Sequence, residues 1–110
     1  MTIAHKNAGG AVTTSYTTFY TCPGSTIAII KKLRIANVDG TVAADINAKW
    51  TDSSAAGASR RIAHTISCPA DCAVDLIGDG YIVPEAGDTL QLQASAGSVL
   101  EATFPIMEIS

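Results

Sequence analysis

The sequence predicts an all-β fold, a single jelly-roll-like β-sandwich of about seven to eight antiparallel strands. Apolar and polar residues alternate along several short segments, and turn residues interrupt these segments about every 8–12 residues. No segment sustains the 3.6-residue period of an amphipathic helix. Charged residues make up 15% of the chain, against a usual share of about 25%, and Thr and Ser, which suit half-exposed strands, take their place.

The first residues differ in composition from the rest of the chain. Residues 1–11 carry Gly9 and Gly10 side by side and few apolar side chains, so we expect a flexible N-terminal arm there. Residues 12–110 then form the β-sandwich domain, and a chain of this length is expected to hold one domain.

The N-terminal third of the sandwich contains two predicted strand regions. Residues 12–20 are rich in Thr and Tyr, which favour strands, and residues 22–25 form a turn. In the next region one parity carries a row that is predicted to face the core: Ile27, Ile29, Leu33 and Ile35. Lys31 interrupts this row, which indicates a bulge or a strand end, and Asp39-Gly40 indicates a hairpin turn.

The segment 42–51 is the most regular strand of the sequence. A period of two predicts a strand with one buried and one solvated face. Its predicted inward row is Val42, Ala44, Ile46, Ala48 and Trp50. After a loop of small residues over 52–59, a second alternating row consists of Arg60, Ile62, His64 and Ile66.

The C-terminal half repeats the pattern of short strands and turns. Val74 and Leu76 share one parity, and a short segment over 81–83 stops at Pro84. Two longer inward rows follow, Leu90, Leu92 and Ala94, then Leu100, Ala102, Phe104 and Ile106. Pro105 lacks an amide hydrogen, which predicts an edge or bulge position for it.

The motifs of common enzymes are not present in the sequence. It has neither the Gly-x-Ser-x-Gly elbow of hydrolases nor a Walker-type phosphate loop, and most carboxylates stand in predicted turns. His5 falls in the predicted arm, and His64 has the apolar parity of its strand without a second ligand at metal-binding spacing. We therefore expect no enzyme activity, no catalytic residue, no cofactor and no metal site.

Charge and hydropathy restrict the partners. The formal net charge is −3, and the seven Lys and Arg residues are thinly spread, so direct nucleic-acid binding is not expected. No apolar run approaches the ~20 residues of a membrane span, and the N-terminus has no charged-then-apolar signal pattern. We expect neither a membrane partner nor export through a cleaved signal.

Three cysteines are the one unusual feature of the composition. Cys22 and Cys68 stand in two similar turns, Thr-Cys-Pro-Gly-Ser and Ser-Cys-Pro-Ala-Asp, and Cys72 follows shortly after. Three reduced thiols, a disulfide within the chain, and a disulfide between subunits all stay open, because an odd number leaves one thiol over. We predict at least one disulfide in the mature assembly.

Two stretches carry a resemblance to a known class of proteins. Residues 20–37 (YTCPGSTIAIIKKLRIAN) and 83–90 (VPEAGDTL) resemble small β-sandwich virion proteins of tailed bacteriophages, and the likeness extends over about residues 16–109. Cys22 and Cys68 depart from the pattern, which usually has an aliphatic residue at these places. The resemblance implies a capsid decoration protein or a neck, collar or tail subunit, located in the virion and assembled in the host cytoplasm. It also implies that the partners are other virion proteins and that the chain forms a homo-oligomer, often a trimer.

A carbohydrate-binding, lectin-like module is the alternative function. Such modules recognise sugars with exposed aromatic side chains, and the sequence offers a small set of candidates: Tyr16, Phe19, Tyr20, Trp50 and Tyr81. Trp50 has the parity of the predicted core, which weakens its candidacy.

Overall fold

The computed structural model describes residues 2–78 and 80–110, and it confirms the predicted all-β sandwich of antiparallel strands. The described residues form nine strands and one short 3-10 turn at Ser53–Ala55. The strands are β1 (Ile3–Ala11), β2 (Thr17–Thr21), β3 (Ile27–Ile29), β4 (Arg34–Asn37), β5 (Ala44–Asp52), β6 (Ala58–Cys68), β7 (Ala73–Asp75), β8 (Thr89–Ala94) and β9 (Leu100–Ile109). No helix in this part of the chain is long and apolar enough to cross a membrane.

The strand order is that of a jelly roll. The first sheet has the order β1-β9-β4-β7, with β3 also paired to β9, and the second sheet has the order β2-β8-β5-β6. The first two strands of the chain therefore pair with the last two, β1 with β9 and β2 with β8, and each sheet alternates between distant parts of the sequence. This interleaving is the double Greek key of jelly-roll domains.

The core lies between the central strands of the two sheets. Alternate residues of β5, β8 and β9 point into it, as their period of two predicts. The fully buried residues of these three strands include Ile46, Ala48, Leu90, Leu92, Leu100 and Phe104. The inward rows predicted for these strands are confirmed, except that Val42 precedes β5 and is 42% exposed, and Trp50 is half-buried.

The predicted row over β3 and β4 is wrong in its first half. Ile27 is 49% exposed and Ile29 is half-buried, whereas Ala28 and Ile30 are buried. The reason is the register with β9, which pairs Ala28 with Glu108, a residue on the inward parity of β9. The predicted interruption is confirmed, because residues 31–33 belong to no strand.

Pro105 lies in β9, a central strand, and not at an edge. On one side β9 pairs with β1, and on the other it pairs first with β4 and then with β3. On that second side Thr103 pairs with Arg34 and Met107 with Ile29, but Pro105 has no partner. The proline thus stands opposite the interruption at residues 31–33, where no ladder hydrogen bond is required of it.

Strand β6 also departs from its predicted row. Ala63 is the buried residue in the middle of the strand, while His64 and Ile66 are exposed. The register against β5 shifts on either side of Ala48, and Thr65 has a positive φ of 54°. Such irregularities reverse the face that later side chains occupy, so a single parity cannot describe this edge strand.

The segment expected to be a flexible arm forms strand β1. It pairs with β9 over its whole length, from Ile3 opposite Ile109 to Ala11 opposite Glu101. Most β1 side chains are exposed, which is why the composition gave no sign of the strand. The predicted strand over 12–20 is shorter in the structure, because only residues from Thr17 onward belong to β2.

Candidate protein-binding surface

The outer face of the first sheet carries a row of isoleucines across three strands. Ile109 of β9 lies opposite Ile3 on one side and opposite Ile27 on the other. Ile3 is 51% exposed and Ile27 is 49% exposed, and Ile109 between them is half-buried. Large apolar side chains are thus in contact with solvent on three adjacent strands.

A second row lies directly beside the first. Met107 of β9 pairs with His5 of β1 and with Ile29 of β3, and both Met107 and Ile29 are half-buried. The sheet then continues past β3, since the amides of Ala28 and Ile30 donate to the carbonyls of Pro84 and Ile82. Val83, between Ile82 and Pro84, is 42% exposed, and this pairing places it opposite Ile29. We call Ile3, Ile27, Ile29, Met107 and Ile109 the apolar patch.

Positive charge borders the apolar patch. A shallow groove of about 260 Å³ runs along it, and its lining includes His5, Lys31 and Pro105. Lys31 is exposed and forms no ion pair with any described residue, since the ion pair found in residues 2–78 and 80–110 joins Lys6 to Glu108. The patch therefore presents an apolar centre with a cationic rim.

The outer face of the second sheet has a different character. Gln91 donates a hydrogen bond to Thr18 at 3.1 Å, and the Lys49 ammonium lies 4.2 Å from the centre of the Tyr16 ring. These polar and charged side chains suit a solvated surface. The outer face of the first sheet differs from it, because the apolar patch lies there.

The inner side of the same region anchors β1. The Lys6 ammonium lies 2.8 Å from the Glu108 carboxylate, which also accepts a hydrogen bond from the Tyr20 hydroxyl. Lys6, and then Tyr20, hold the pKa of the Glu108 carboxyl below its usual range. Burial, followed by the bond to Glu108, raises the pKa of Tyr20, which keeps its hydroxyl protonated as a donor. This cluster ties β1 and β2 to β9 beneath the apolar patch.

All three cysteines, Cys22, Cys68 and Cys72, are free thiols in the structure. The Cys22 amide donates to the carbonyl of Asp88, whose side chain is bonded to Trp50 at one end of β5. Cys68 lies opposite Ala44, at the other end of β5. Six residues of strand separate these ends, or roughly 20 Å at about 3.3 Å per residue, so the structure does not bring Cys22 and Cys68 together. The predicted disulfide stays a prediction.

The three cysteines differ in their exposure to solvent. Cys22 and Cys68 are buried, and burial raises the pKa of both thiols, which lowers their thiolate fraction. Cys72 is exposed, in the turn whose backbone joins Asn37 and Pro69. Of the three thiols, Cys72 alone is open to a partner without unfolding.

The aromatic candidates for sugar binding are mostly engaged elsewhere, but two of them share a groove. Trp50 and Tyr81 line a groove of about 440 Å³ between β6 and the segment after β7, together with Arg60 and Arg61. Tyr81 is 62% exposed, and Trp50 is half-buried with its indole nitrogen bonded to Asp88. The other three candidates, Tyr16, Phe19 and Tyr20, do not line this groove.

The histidines show no metal-binding arrangement. His64 is exposed, with its Nδ1 3.1 Å from the Arg61 guanidinium, and His5 lies beside the apolar patch. Among residues 2–78 and 80–110, no three His, Cys, Asp or Glu side chains cluster closely enough to hold a metal ion.

Sequence reasoning missed the apolar patch, although a signal was present. Near the end of the chain, Ile106 continues the inward row while Met107 and Ile109 are apolar on the other parity. Apolar residues on both parities of a strand indicate that both of its faces are covered. The prediction followed the inward parity alone.

The comparisons with known proteins agree on the fold. No protein-family model matches the chain, and no curated protein matches it in sequence. A subunit of the Bacillus endospore appendages, described as disulfide-linked pili, is 12% identical with a TM-score of 0.53, covering 97% of this chain and 86% of that chain. A chain of the T13 viral particle of IBDV is 6% identical with a TM-score of 0.59, covering 96% of this chain and 30% of that chain.

A third similar structure comes from the same virus as the second. The VP2 subviral particle of infectious bursal disease virus is 10% identical with a TM-score of 0.51, covering 97% of this chain and 32% of that chain. This chain thus spans about a third of the length of the viral subunits that it matches. At these identities the likeness establishes a shared β-sandwich fold, one that occurs in subunits of viral particles and of a bacterial surface appendage.

Proposed function

We propose that this chain is a non-enzymatic structural subunit of a virion, and more narrowly of a tailed bacteriophage. In this role it binds other virion proteins as a capsid decoration (cement) subunit or as a neck, collar or tail subunit, and it self-associates. The apolar patch is the observation that carries the proposal, because it is the contact surface that such a subunit requires. The resemblance of residues 20–37 and 83–90 to phage virion proteins supports the narrower statement.

The fold supports the broader statement. Jelly rolls form the subunits of many viral capsids, and the chain is similar to subunits in two particles of one virus. Fold similarity by itself does not fix a function, since lectin domains share the architecture. The surface chemistry therefore has to distinguish a virion subunit from a lectin. An apolar patch with a cationic rim favours a protein partner over a sugar.

The experiment is incorporation into particles. Phage that carry the wild-type gene, Ile27→Asp or Ile66→Lys are purified, and the chain is quantified in the particles by mass spectrometry. Ile66 is a matched control, because it is 41% exposed and lies in β6 of the other sheet. We expect the wild type and Ile66→Lys to be incorporated and Ile27→Asp to fall about tenfold or more, which corresponds to about 1.4 kcal/mol of contact energy.

Two results would contradict the proposal. One is the absence of the wild-type chain from purified particles. The other is full incorporation of Ile27→Asp and of a second patch variant, Ile3→Asp. Circular dichroism of each purified variant verifies that it is folded, so that a loss of incorporation reports on contact rather than on stability.

A second candidate function rests on the groove that Trp50 and Tyr81 share. An aromatic side chain beside guanidinium groups suits stacking on a sugar ring that carries an acidic substituent, and the groove is large enough for one or two sugar units. A glycan array probed with the wild-type chain and with Tyr81→Ala tests it. Binding that Tyr81→Ala loses supports a lectin-like module, and no binding on the array discards it.

A further inference from the structure

The end of the sandwich opposite the apolar patch is acidic. It is built from residues 37–45, 67–73 and 95–101, which we call the acidic end. These segments contain four carboxylates and no Lys, Arg or His, and the carboxylates are Asp39, Asp45, Asp71 and Glu101. Two apolar side chains stand among them on the surface, Val38 at 53% exposure and Val42 at 42%.

Hydrogen bonds make the acidic end one ordered surface. The Asp39 carboxylate accepts from the amides of Thr41 at 2.8 Å and Val42 at 3.1 Å, and these bonds close the loop after β4. The Asp71 amide donates to the Asp39 carbonyl at 3.2 Å, which joins the second turn to this loop. The Val38 amide donates to the Val99 carbonyl at 2.8 Å, which joins the third segment. A partner thus meets a preformed surface.

The acidic end and the apolar patch are complementary. Each has an apolar centre, with valines on one and isoleucines on the other. The rim of the acidic end is anionic, whereas the rim of the patch carries the Lys31 ammonium. Opposite charges around two apolar centres steer association and penalise the contact of like with like.

The two surfaces lie too far apart to meet within one chain. On β9 the patch reaches Met107, and the acidic end reaches Glu101. Six residue steps of strand separate these two residues, or roughly 20 Å at about 3.3 Å per residue. Only a second copy can bring one surface onto the other.

We propose that copies of this chain associate head to tail, the acidic end of one docking on the apolar patch of the next. Val38 and Val42 pack against the isoleucine rows, and the carboxylates of Asp39 and Asp71 face Lys31. This inference rests on the proposed function, because it names the partner of the same patch. A head-to-tail contact generates a ring where the rotation closes and a filament where it does not.

The test uses two variants, each of which blocks one surface. Ile27→Asp places a negative charge in the apolar patch, and Val38→Lys places a positive charge in the acidic end. Both positions are about half exposed, so the fold is expected to tolerate the change. Ile66→Lys is again the control, and analytical ultracentrifugation measures the mass of each species.

The decisive measurement is the mixture of the two variants. The wild type and Ile66→Lys are expected to form oligomers, and each blocked variant alone is expected to be monomeric, with association weakened about tenfold or more. Ile27→Asp keeps an intact acidic end and Val38→Lys keeps an intact patch. An equimolar mixture should therefore give a one-to-one dimer that grows no further, because the two remaining surfaces are blocked.

The other outcomes overturn the inference. If the mixture stays monomeric although both variants are folded, the two surfaces do not dock on each other. If Val38→Lys alone still forms the wild-type oligomer, the acidic end takes no part. A wild-type chain that is monomeric in solution also contradicts a second copy as the occupant. If the wild type is monomeric but Ile27→Asp is still lost from particles, the proposed function is retained. Another virion protein, and not a second copy, then covers the patch.

Discussion

At the scale of single residues, one buried carboxylate organises the Trp50 end of the sandwich. Asp88 is fully buried and accepts hydrogen bonds from the Trp50 indole (3.1 Å), the Ser53 amide (2.9 Å) and the Glu85 amide (2.9 Å). Burial raises the pKa of Asp88, but these hydrogen bonds outweigh it and hold the pKa below its usual range. The sequence predicted only a turn at Asp88, since its bonding partners are distant in the chain.

This carboxylate gives a prediction on pH. Because the pKa of Asp88 is lowered on folding, its contribution to stability is complete above the usual aspartate value of about 4 and is lost as the pH falls through the folded value. We expect Asp88→Asn to lower the free energy of unfolding by about 3 kcal/mol at pH 7 and by much less near pH 2. Urea denaturation at several pH values measures both.

The control for Asp88 is Glu101→Gln, which changes an exposed carboxylate on β9. This variant should match the wild type within about 0.5 kcal/mol at pH 7. A loss for Asp88→Asn that is equal at pH 7 and at pH 2 would show that shape, rather than charge, is the contribution of Asp88.

At the scale of elements, β1 is stabilised by its neighbour and hardly by burial of its own side chains. Gly9 allows the close approach to β9, since a Cβ there would lie 2.5 Å from the carbonyl oxygen of Ala102. Lys6 adds the ion pair to Glu108. A segment rich in glycine with few apolar residues can thus be a strand when a long partner strand supplies every hydrogen bond.

We predict that Gly9→Ala releases β1. The added methyl group must displace backbone, so hydrogen exchange over residues 3–11 should become faster while the core strands keep their protection. The overall stability should fall by about 1–2 kcal/mol, because most β1 side chains are exposed already. Gly24→Ala is the matched control, since nothing lies within 4 Å of its added Cβ. Unchanged exchange in Gly9→Ala would contradict this account of β1.

At the scale of the whole molecule, the two outer faces and the two ends differ in chemistry. The first sheet has an apolar patch at one end, the opposite end is acidic, and the outer face of the second sheet is polar. This asymmetry suits a subunit that contacts neighbours in one direction and solvent in another. Cys72 lies within the acidic end, so the exposed thiol belongs to the surface that is proposed to dock.

The position of Cys72 sharpens the predicted disulfide. A thiol reagent should modify Cys72 in the folded chain, and Cys22 and Cys68 only after denaturation, because these two are buried. In oxidised particles, non-reducing electrophoresis should reveal a cross-linked dimer that Cys72→Ser abolishes and Cys22→Ser keeps. Identical migration with and without reductant, with all three thiols alkylated under denaturing conditions, would refute the disulfide.

Head-to-tail docking also makes Cys72 a reporter of assembly. Its alkylation rate should fall as the chain concentration rises, since docking covers the acidic end. In Ile27→Asp, which lacks the docking patch, the rate should not depend on concentration. Because docking covers Cys72, a cross-link between two Cys72 residues is expected only between copies whose acidic ends are undocked.

Much of the fold could be predicted from local sequence, and the candidate surface could not. The inward-facing rows of β5, β8 and β9 could be predicted because the side chains of these strands alternate regularly and one face is buried. Ile27 and Ile29 were misassigned because the interruption at residues 31–33 separates them from the rest of their predicted row. Ile66 was misassigned because the irregular register of β6 separates it from Ile62. The missing signal was one of register rather than of composition.

The sequence by itself determined the alternation, the turns and the absence of helical periodicity, and from these the two-sheet architecture. Side-chain alternation is a local property of an extended backbone, so each strand carries it independently. Only the tertiary structure decided which parity faces outward on β3, and that Ile3, Ile27 and Ile109 share one row. Those outcomes depend on pairing between the two ends of the chain and its middle, which no local pattern encodes.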